Sequence, residues 1–152
     1  MLVNLLSQRQ EIEETVDQLG LRLDAKEWLE LEEVLADTVE LDYVSLYGAQ
    51  VERLSRVEVI ERWKTQLMPL KATQHIMTNL HITIRTDNTA DCAANLLATH
   101  VRPNAVGDAL WTVGGRYDFQ LLHEGGRWRI SAIKLSVLWT AGNTQVLSPT
   151  GT

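Results

Sequence analysis

The sequence predicts an α+β fold in which N-terminal helices pack on one face of a strongly curved, mostly antiparallel sheet. Apolar residues recur at helical spacing in the N-terminal half, whereas the C-terminal half consists of long strand-like segments separated by turn clusters. The length of 152 residues, with 45% apolar and 22% charged residues, suits one domain with its own core. We assign residues 1–142 to this domain and residues 143–152 to a loosely held C-terminal tail.

Three helices are predicted in the N-terminal half. A capping box at Asp24 and Glu27 begins the second helix, and another at Ser55 and Glu58 begins the third. The chain is therefore expected to turn at Asp24. The first helix runs from about residue 5 to residue 23, where an apolar stripe follows spacings of four, three and four: Ile12, Val16, Leu19 and Leu23.

The predicted strands begin with residues 39–46, a β-branched and aromatic segment that has Tyr43 in its middle. A second strand covers residues 71–85, and His75 lies at its entrance. Strict alternation puts four of its residues on one face unless a bulge intervenes: His75, Met77, Asn79 and His81. Further strands are expected over about residues 91–101, 110–122 and 127–139.

Two of these strands predict a pocket. Gly114 and Gly115 interrupt a strand, which indicates a bulge, a bend or the close approach of another group. A sheet bent there encloses a cavity beneath the helices, although the same aromatic residues also suit a plain core. Small side chains and a histidine share one strand face: Cys92, Ala94, Leu96, Ala98 and His100. Bulkier residues share a face of the next strand: Trp111, Val113, Gly115, Tyr117, Phe119 and Leu121.

The net charge of −6 is unevenly distributed along the chain. Residues 1–40 hold eleven carboxylates and only three basic side chains. An acidic surface of this kind repels nucleic-acid phosphates and anionic lipids, and it is equally typical of a solvated helix face. The apolar runs are too short to span a bilayer. We therefore expect neither a nucleic-acid nor a membrane partner.

Cys92 is the only cysteine, so the sequence offers no internal disulfide and no second thiol for a zinc site. The N-terminal residues lack the basic leader, the long apolar segment and the cleavage site of a signal peptide. Both observations suit a reducing compartment, and we expect a cytoplasmic protein.

The order of helices and strands resembles the SnoaL-like branch of the nuclear transport factor 2-like superfamily, which contains scytalone dehydratase and hexachlorocyclohexane dehydrochlorinase. The resemblance extends over residues 8–142 and implies a cone-shaped α+β barrel. The matching pieces are Leu23-Asp24 followed by Trp28, Asp42-Tyr43, Thr73-Gln74-His75 followed by Asn79, Thr99-His100, and Gly126 to Ile130 followed by Trp139.

The resemblance also implies roles for individual residues. In the dehydrochlorinase, the aspartate that matches Asp24 orients a histidine that matches His75. In the dehydratase, the aspartate pairs with a histidine at the position of His100, and His75 is a second member. Tyr43 matches a dehydratase tyrosine that positions a water or a substrate oxygen. Three positions differ from the dehydratase, which has a tyrosine at the position of Leu23 and polar residues at the positions of Gly115 and Tyr117. The resemblance therefore does not imply the dehydratase's own substrate.

Structural alternatives accompany these assignments. Asp24 also suits a simple helix cap, and a histidine at a strand entrance also suits a core position with satisfied hydrogen bonds. His81 and His123 are expected to be structural or exposed. Arg116 and Arg129 could bind a substrate carboxylate or pair with neighbouring acids. A metal site that joins His81 to His75 and His100 has no supporting ligand spacing, and we expect no metal and no cofactor.

The sequence leaves two functions open. The first is a cofactor-independent lyase or isomerase for a hydrophobic cyclic molecule, with His75 as base, Asp24 as its orienting group, and His100 and Tyr43 assisting. The second is a non-catalytic ligand-binding protein or the β subunit of a ring-hydroxylating dioxygenase. By resemblance we expect a homodimer or homotrimer. The expected substrate-binding residues are Trp28, Trp63, Met77, Asn79, Leu96, Ala98, Trp111, Val113, Tyr117 and Phe119.

Overall fold

A computed structural model describes residues 2–103 and 106–147. The helices are α1 (Leu2–Ala25), α2 (Val44–Tyr47) and α3 (Arg56–Leu67), with short 3₁₀ segments at Glu30–Glu33 and Thr144–Val146. The strands are β1 (Leu35–Asp42), β2 (Glu52–Ser55), β3 (Ala72–Thr86), β4 (Thr89–Val101), β5 (Leu110–Glu124) and β6 (Arg127–Gly142).

All six strands form one sheet in the order β2-β1-β6-β5-β4-β3. Neighbouring strands are antiparallel except β1 and β6, which are parallel. The sheet is strongly curved but does not close within the described part of the chain, where β2 and β3 are its edges. The predicted α+β architecture is therefore confirmed. Among the described residues, no helix has the length and hydropathy needed to cross a membrane.

Helix α1 packs along β3 through the predicted apolar stripe, because Ile12, Val16, Leu19 and Leu23 are all buried. The contact is close at Gly20, where an added Cβ would lie 2.8 Å from Cε of Met77. The helix is longer than predicted and includes Asp24 in its last turn.

The predicted capping box at Asp24 and Glu27 is wrong, because no second long helix follows α1. Instead, Lys26 adopts a left-handed conformation with φ of 57° and ends α1. The amide of Lys26 donates to the carbonyl of Leu23, and the amide of Glu27 donates to the carbonyl of Arg22, which is a Schellman ending. The side chain of Asp24 is therefore not used as a cap and can reach β3.

Tyr43 follows the first strand and does not lie in its middle, because β1 ends at Asp42. The chain turns at Tyr43 into the one-turn helix α2, and Gly48 ends that helix with φ of 66°. Ser45 holds α2 against β6, since its hydroxyl donates to the carbonyl of Leu135 at 2.6 Å and accepts from the amide of Val137 at 2.9 Å. Neither α2 nor β2 was predicted.

The second predicted capping box is confirmed at the start of α3. The hydroxyl of Ser55 accepts from the amide of Glu58, and the carboxylate of Glu58 accepts from the amide of Ser55. The box pairs two backbone N–H groups at the start of the helix. The residues buried on the face of α3 that meets the sheet are Val59, Ile60, Trp63 and Leu67.

A bulge in β3 breaks the predicted alternation. Thr78 pairs with Asn95, but His81 pairs with Ala93, so that β3 contains one extra residue at this point. Asn79 lies in the bulge with φ of 57°. Beyond it, Ile82 is buried and His81 is exposed. His81 therefore lies on the opposite sheet face from His75.

Part of the predicted C-terminal tail is packed against the domain. Val146 is fully buried, and the side chain of Asn143 donates to the carbonyls of Val106 and Asp108 at 2.8 and 2.9 Å. The prediction of a loose tail is therefore wrong for residues 143–147. Its remainder, residues 148–152, lies outside the described residues.

The two glycines of β5 mark a close approach to β6, as predicted, and the register between the strands shifts there. An added Cβ would lie 2.1 Å from the ring of Trp139 at Gly114 and 2.4 Å from the carbonyl oxygen of Ser136 at Gly115. The contact at Gly115 is harder to relieve than the one at Gly114, because a backbone oxygen within a sheet cannot rotate away.

We expect Gly115→Ala to lower the free energy of unfolding by about 3 kcal/mol, because overpacking against backbone must shift two paired strands. Urea denaturation measures the change. Gly125→Ala is the matched control, since no atom lies within 4 Å of its added Cβ and only the positive φ of 57° opposes it. A loss for Gly115→Ala no larger than that for Gly125→Ala would show that β5 and β6 are farther apart.

Candidate active site

A cavity of about 580 Å³ lies between the inner face of the sheet and helices α2 and α3. This volume is within the usual range for small-molecule sites. The structure brings most of the predicted site residues to its wall: Tyr43, Trp63, His75, Leu96, Ala98, His100, Trp111, Val113 and Tyr117.

His75, which lines the cavity, is paired with Asp24. Nδ1 of His75 lies 2.7 Å from Oδ1 of Asp24, and their side chains are 9% and 22% exposed. Because an ionised carboxylate only accepts hydrogen bonds, Nδ1 carries the proton and Nε2 has a free lone pair. His75 lines the cavity, so this imidazole can act as a base there.

Asp24 is held by three hydrogen bonds, all from β3. Besides the imidazole of His75, the hydroxyl of Thr73 donates to Oδ1 at 3.0 Å. The backbone amide of His75 donates to Oδ2 at 2.8 Å. Three donors fix the orientation of the carboxylate. The last turn of α1 thus positions the group that sets the tautomer of His75.

His100 lies beside His75, with the two ring centroids 6.0 Å apart and the planes nearly perpendicular. Nδ1 of His100 lies 3.2 Å from the carbonyl oxygen of Trp111, which must accept, so Nδ1 is the donor. Burial first, and then the neighbouring His75, lower the pKa of His100 from 6.5 to about 4. His100 is therefore neutral at pH 7 and a weak base.

The lowered pKa of His100 makes stability depend on pH. The unfolded chain binds a proton at this residue below pH 6.5, whereas the folded chain binds it only below about pH 4. Stability is therefore lost as the pH falls through this window, by about 3 kcal/mol. We expect urea denaturation between pH 7 and pH 4 to show a smaller loss for His100→Asn than for the wild type. Parallel curves for the two proteins would contradict the assignment.

Tyr43, Tyr117 and Trp63 all line the cavity, and both Tyr117 and Trp63 affect the pKa of Tyr43. Burial is the main cause that raises the pKa of Tyr43 well above its usual value, with Tyr117 as the second cause. Burial likewise raises the pKa of Tyr117 to about 12. Both phenols therefore stay protonated at pH 7 and can act as hydrogen-bond donors but not as bases.

Four predicted substrate-binding residues do not line the cavity. Met77 lies under α1 next to Gly20, and Asn79 is in the exposed bulge, where its Oδ1 accepts from Asn95. Trp28 packs against the core from outside the cavity. Phe119 is buried behind Tyr117, with their ring centroids 5.1 Å apart. Alternation placed Met77, Asn79 and Phe119 on the inner face, but α1 covers Met77 and the bulge exposes Asn79.

The remaining polar candidates lie away from the cavity. His123 packs on Trp128, with ring centroids 5.2 Å apart. Arg116 pairs with Asp118, and Arg129 donates to the carbonyl of Glu32 at 2.7 Å. His81 does not converge with His75 and His100. Over residues 2–103 and 106–147, no group of three or more His, Cys, Asp or Glu side chains is arranged to hold a metal ion.

The sequence did not predict the residues of α2 that line the cavity or the ion pair at the mouth of the cavity. Helix α2 is a single turn and gives no periodic signal, yet Leu46 and Tyr47 line the cavity. Arg62 and Glu52, at 2.8 Å, form an ion pair that also lines it. Further lining residues come from elements that were predicted without reference to a cavity, among them Leu23, Leu41, Gln66 and Leu135, and Leu147 comes from the predicted tail.

Comparison with known proteins identifies relatives of this chain. Residues 4–134 match the profile of a family described as a SnoaL-like domain. No curated protein sequence matches the chain. The solved structure of the Kfla4162 protein from Kribbella flavida is similar, with a TM-score of 0.89 and 24% identity over 94% of this chain and 98% of that one.

Two further solved structures show the same fold. A candidate scytalone dehydratase from Novosphingobium aromaticivorans has a TM-score of 0.82 and 18% identity over 100% of this chain and 99% of its own. A hexachlorocyclohexane dehydrochlorinase of type 2 has a TM-score of 0.79 and 14% identity over 100% of both chains. At these identities the likeness establishes the fold, and the chemistry must be argued from the cavity residues.

Proposed function

The chain belongs to the SnoaL-like domain family, and from this membership we propose that it is a cofactor-independent lyase or isomerase for a hydrophobic cyclic small molecule. One observation carries the proposal. His75, oriented by Asp24 at 2.7 Å, presents an unprotonated ring nitrogen at the wall of a largely apolar cavity of about 580 Å³.

His75 is the base in this proposal, and His100 is not. Asp24 stabilises the imidazolium that forms when Nε2 of His75 takes a proton. Within the described residues the hydrogen-bond partner of His100 is the carbonyl of Trp111, and its pKa of about 4 makes His100 the weaker base. Nε2 of His100 instead accepts a hydrogen bond from a hydroxyl group of the substrate and thereby orients it.

The proposed reaction breaks a C–H bond next to a carbonyl group. The proton moves to Nε2 of His75, and the electron pair forms a carbon–carbon double bond. In an elimination, hydroxide or halide leaves with its electron pair from the next carbon; in an isomerisation, the proton returns at another carbon. In this proposal Tyr43, which stays protonated because burial raises its pKa, donates a hydrogen bond to a leaving oxygen.

The apolar wall selects the substrate by shape and desolvation. Leu96, Ala98 and Val113 are buried side chains of β4 and β5 that line the cavity. Removal of water there also strengthens the interaction between His75 and Asp24. A ring compound without a charge is the class that such a wall accepts.

The test uses deuterium exchange with the wild-type protein. A set of cyclic β-hydroxy ketones is incubated in D₂O, and proton NMR follows the α-hydrogen signal and the appearance of the conjugated enone. We expect protein-dependent loss of the α-hydrogen signal with at least one of them. Absence of exchange with every ketone that binds would contradict the lyase or isomerase proposal.

A second candidate is a ligand-binding protein without turnover, which the same apolar cavity favours. Calorimetric binding of a cyclic ketone without deuterium uptake would support it. Co-purification with a large iron-containing partner would instead support a dioxygenase subunit. A homodimer or homotrimer remains our expectation, and exposed apolar residues are available for it on β6, where Leu138 is 74% and Trp139 is 50% exposed.

A further inference from the structure

The indole N–H of Trp111 is a buried donor with no acceptor among the described residues. Trp111 is only 5% exposed, and it lines the cavity. A buried donor without a partner is unfavourable, and buried polar groups in native proteins are nearly always paired. A group that enters the cavity with an accepting oxygen would remove this penalty.

Two other buried indoles, those of Trp63 and Trp128, can be compared with that of Trp111. Trp63 also lines the cavity, but its Nε1 is not among the buried atoms that lack a partner. Trp128 has an unpaired Nε1 as well, yet it lies outside the cavity wall, packed on His123. Within the described chain, Trp111 is therefore the cavity indole whose donor has no protein partner.

Trp111 is also close to the proposed base. Its ring centroid lies 5.1 Å from that of His100, and the centroid of His100 lies 6.0 Å from that of His75. Its own carbonyl fixes the proton of His100 on Nδ1. A donor, an accepting imidazole and a base thus follow one another along one wall of the cavity.

We propose that Nε1–H of Trp111 donates a hydrogen bond to the carbonyl oxygen of the substrate, which makes a cyclic ketone the substrate class. The proposal rests on the proposed function. As His75 takes the α-proton, the electron pair of the C–H bond forms the enolate double bond and the carbonyl pair moves onto oxygen. Trp111 stabilises that oxygen as its negative charge grows. Trp111 is then a catalytic residue as well as a residue that lines the cavity.

The test separates the donor from the ring by Trp111→Phe, which keeps an aromatic side chain and the backbone carbonyl that binds His100. The two probes are 1-tetralone, which has a carbonyl oxygen, and tetralin, the matching hydrocarbon. We expect the variant to bind 1-tetralone about 5-fold more weakly, as loss of one hydrogen bond implies. Tetralin should bind within twofold of the wild type.

A spectroscopic readout and a matched control complete the experiment. The carbonyl stretching frequency of bound 1-tetralone should be lower in the wild type than in Trp111→Phe, because a hydrogen bond weakens the C=O bond. Trp128→Phe removes the other unpaired indole N–H outside the cavity, and it should leave both affinities and the frequency unchanged.

Three results would overturn the inference: equal loss of affinity for both probes, an unchanged carbonyl frequency in Trp111→Phe, or no binding of 1-tetralone by the wild type. The proposed function fails in a different way, since it predicts exchange that depends on His75. Selective loss of ketone affinity in Trp111→Phe without any wild-type exchange would keep the donor and reject the lyase or isomerase.

Discussion

His75→Gln is expected to reduce deuterium uptake from D₂O by about 10²–10⁴-fold, the contribution of one positioned general base. Glutamine approximates the size of histidine and can still donate to Asp24, but it has no nitrogen that accepts a proton at neutral pH. The measurement is the initial exchange rate at saturating ketone, so that a change in affinity does not alter the measured rate.

His81→Gln is the matched control, because His81 is an exposed histidine of the same strand on the opposite face of the sheet. It should exchange at the wild-type rate. Thermal unfolding of both variants checks that they are folded. If His75→Gln retains more than about a tenth of the wild-type rate, His75 is not the base.

Asp24→Asn is expected to lower the exchange rate by a comparable factor of about 10²–10⁴, because the amide can reverse the tautomer of His75. When the amide NH₂ donates to Nδ1, the proton moves to Nε2 and the lone pair needed for abstraction is lost. The same change removes the negative charge that stabilises the imidazolium.

This variant also weakens the junction between α1 and β3, since Asp24 accepts from Thr73 and from the backbone amide of His75. Activity must therefore be measured at a temperature well below the unfolding midpoint. Asp118→Asn, which breaks only an exposed pair with Arg116, is the matched control. Wild-type exchange by Asp24→Asn together with inactive His75→Gln would reduce Asp24 to an anchor of β3.

The fold was predictable where periodicity extends over several turns or along a whole strand. The stripe of α1, the capping box at Ser55 and the four long strands are all present. The short elements were not predictable, because α2 and β2 have four residues each. The helix predicted from the capping pattern at Asp24 is absent because Lys26 ends α1 there in a left-handed conformation. A lysine does not predict that conformation, which glycine and asparagine favour.

The site was predictable only in part. The alternation of β4 and β5 identified the cavity wall from Leu96 to Tyr117. The pairing of Asp24 with His75 came from resemblance, since no local rule joins residues 51 positions apart. The unpaired donor of Trp111 had no sequence signal at all, because whether an indole finds a partner depends on the packing of several strands.

The bulge at Asn79 has a further consequence for how this chain can vary. One extra residue divides β3 into two stretches of opposite phase, so that His75 and Ile82 both face inward although they differ in parity. Substitutions at His81 can change the outer surface while the cavity wall stays fixed. If the same residues paired without the bulge, His81 would instead enter the core and Ile82 would be expelled. Loss of one residue at the bulge would remove the extra residue, restore regular pairing and leave both faces as they are.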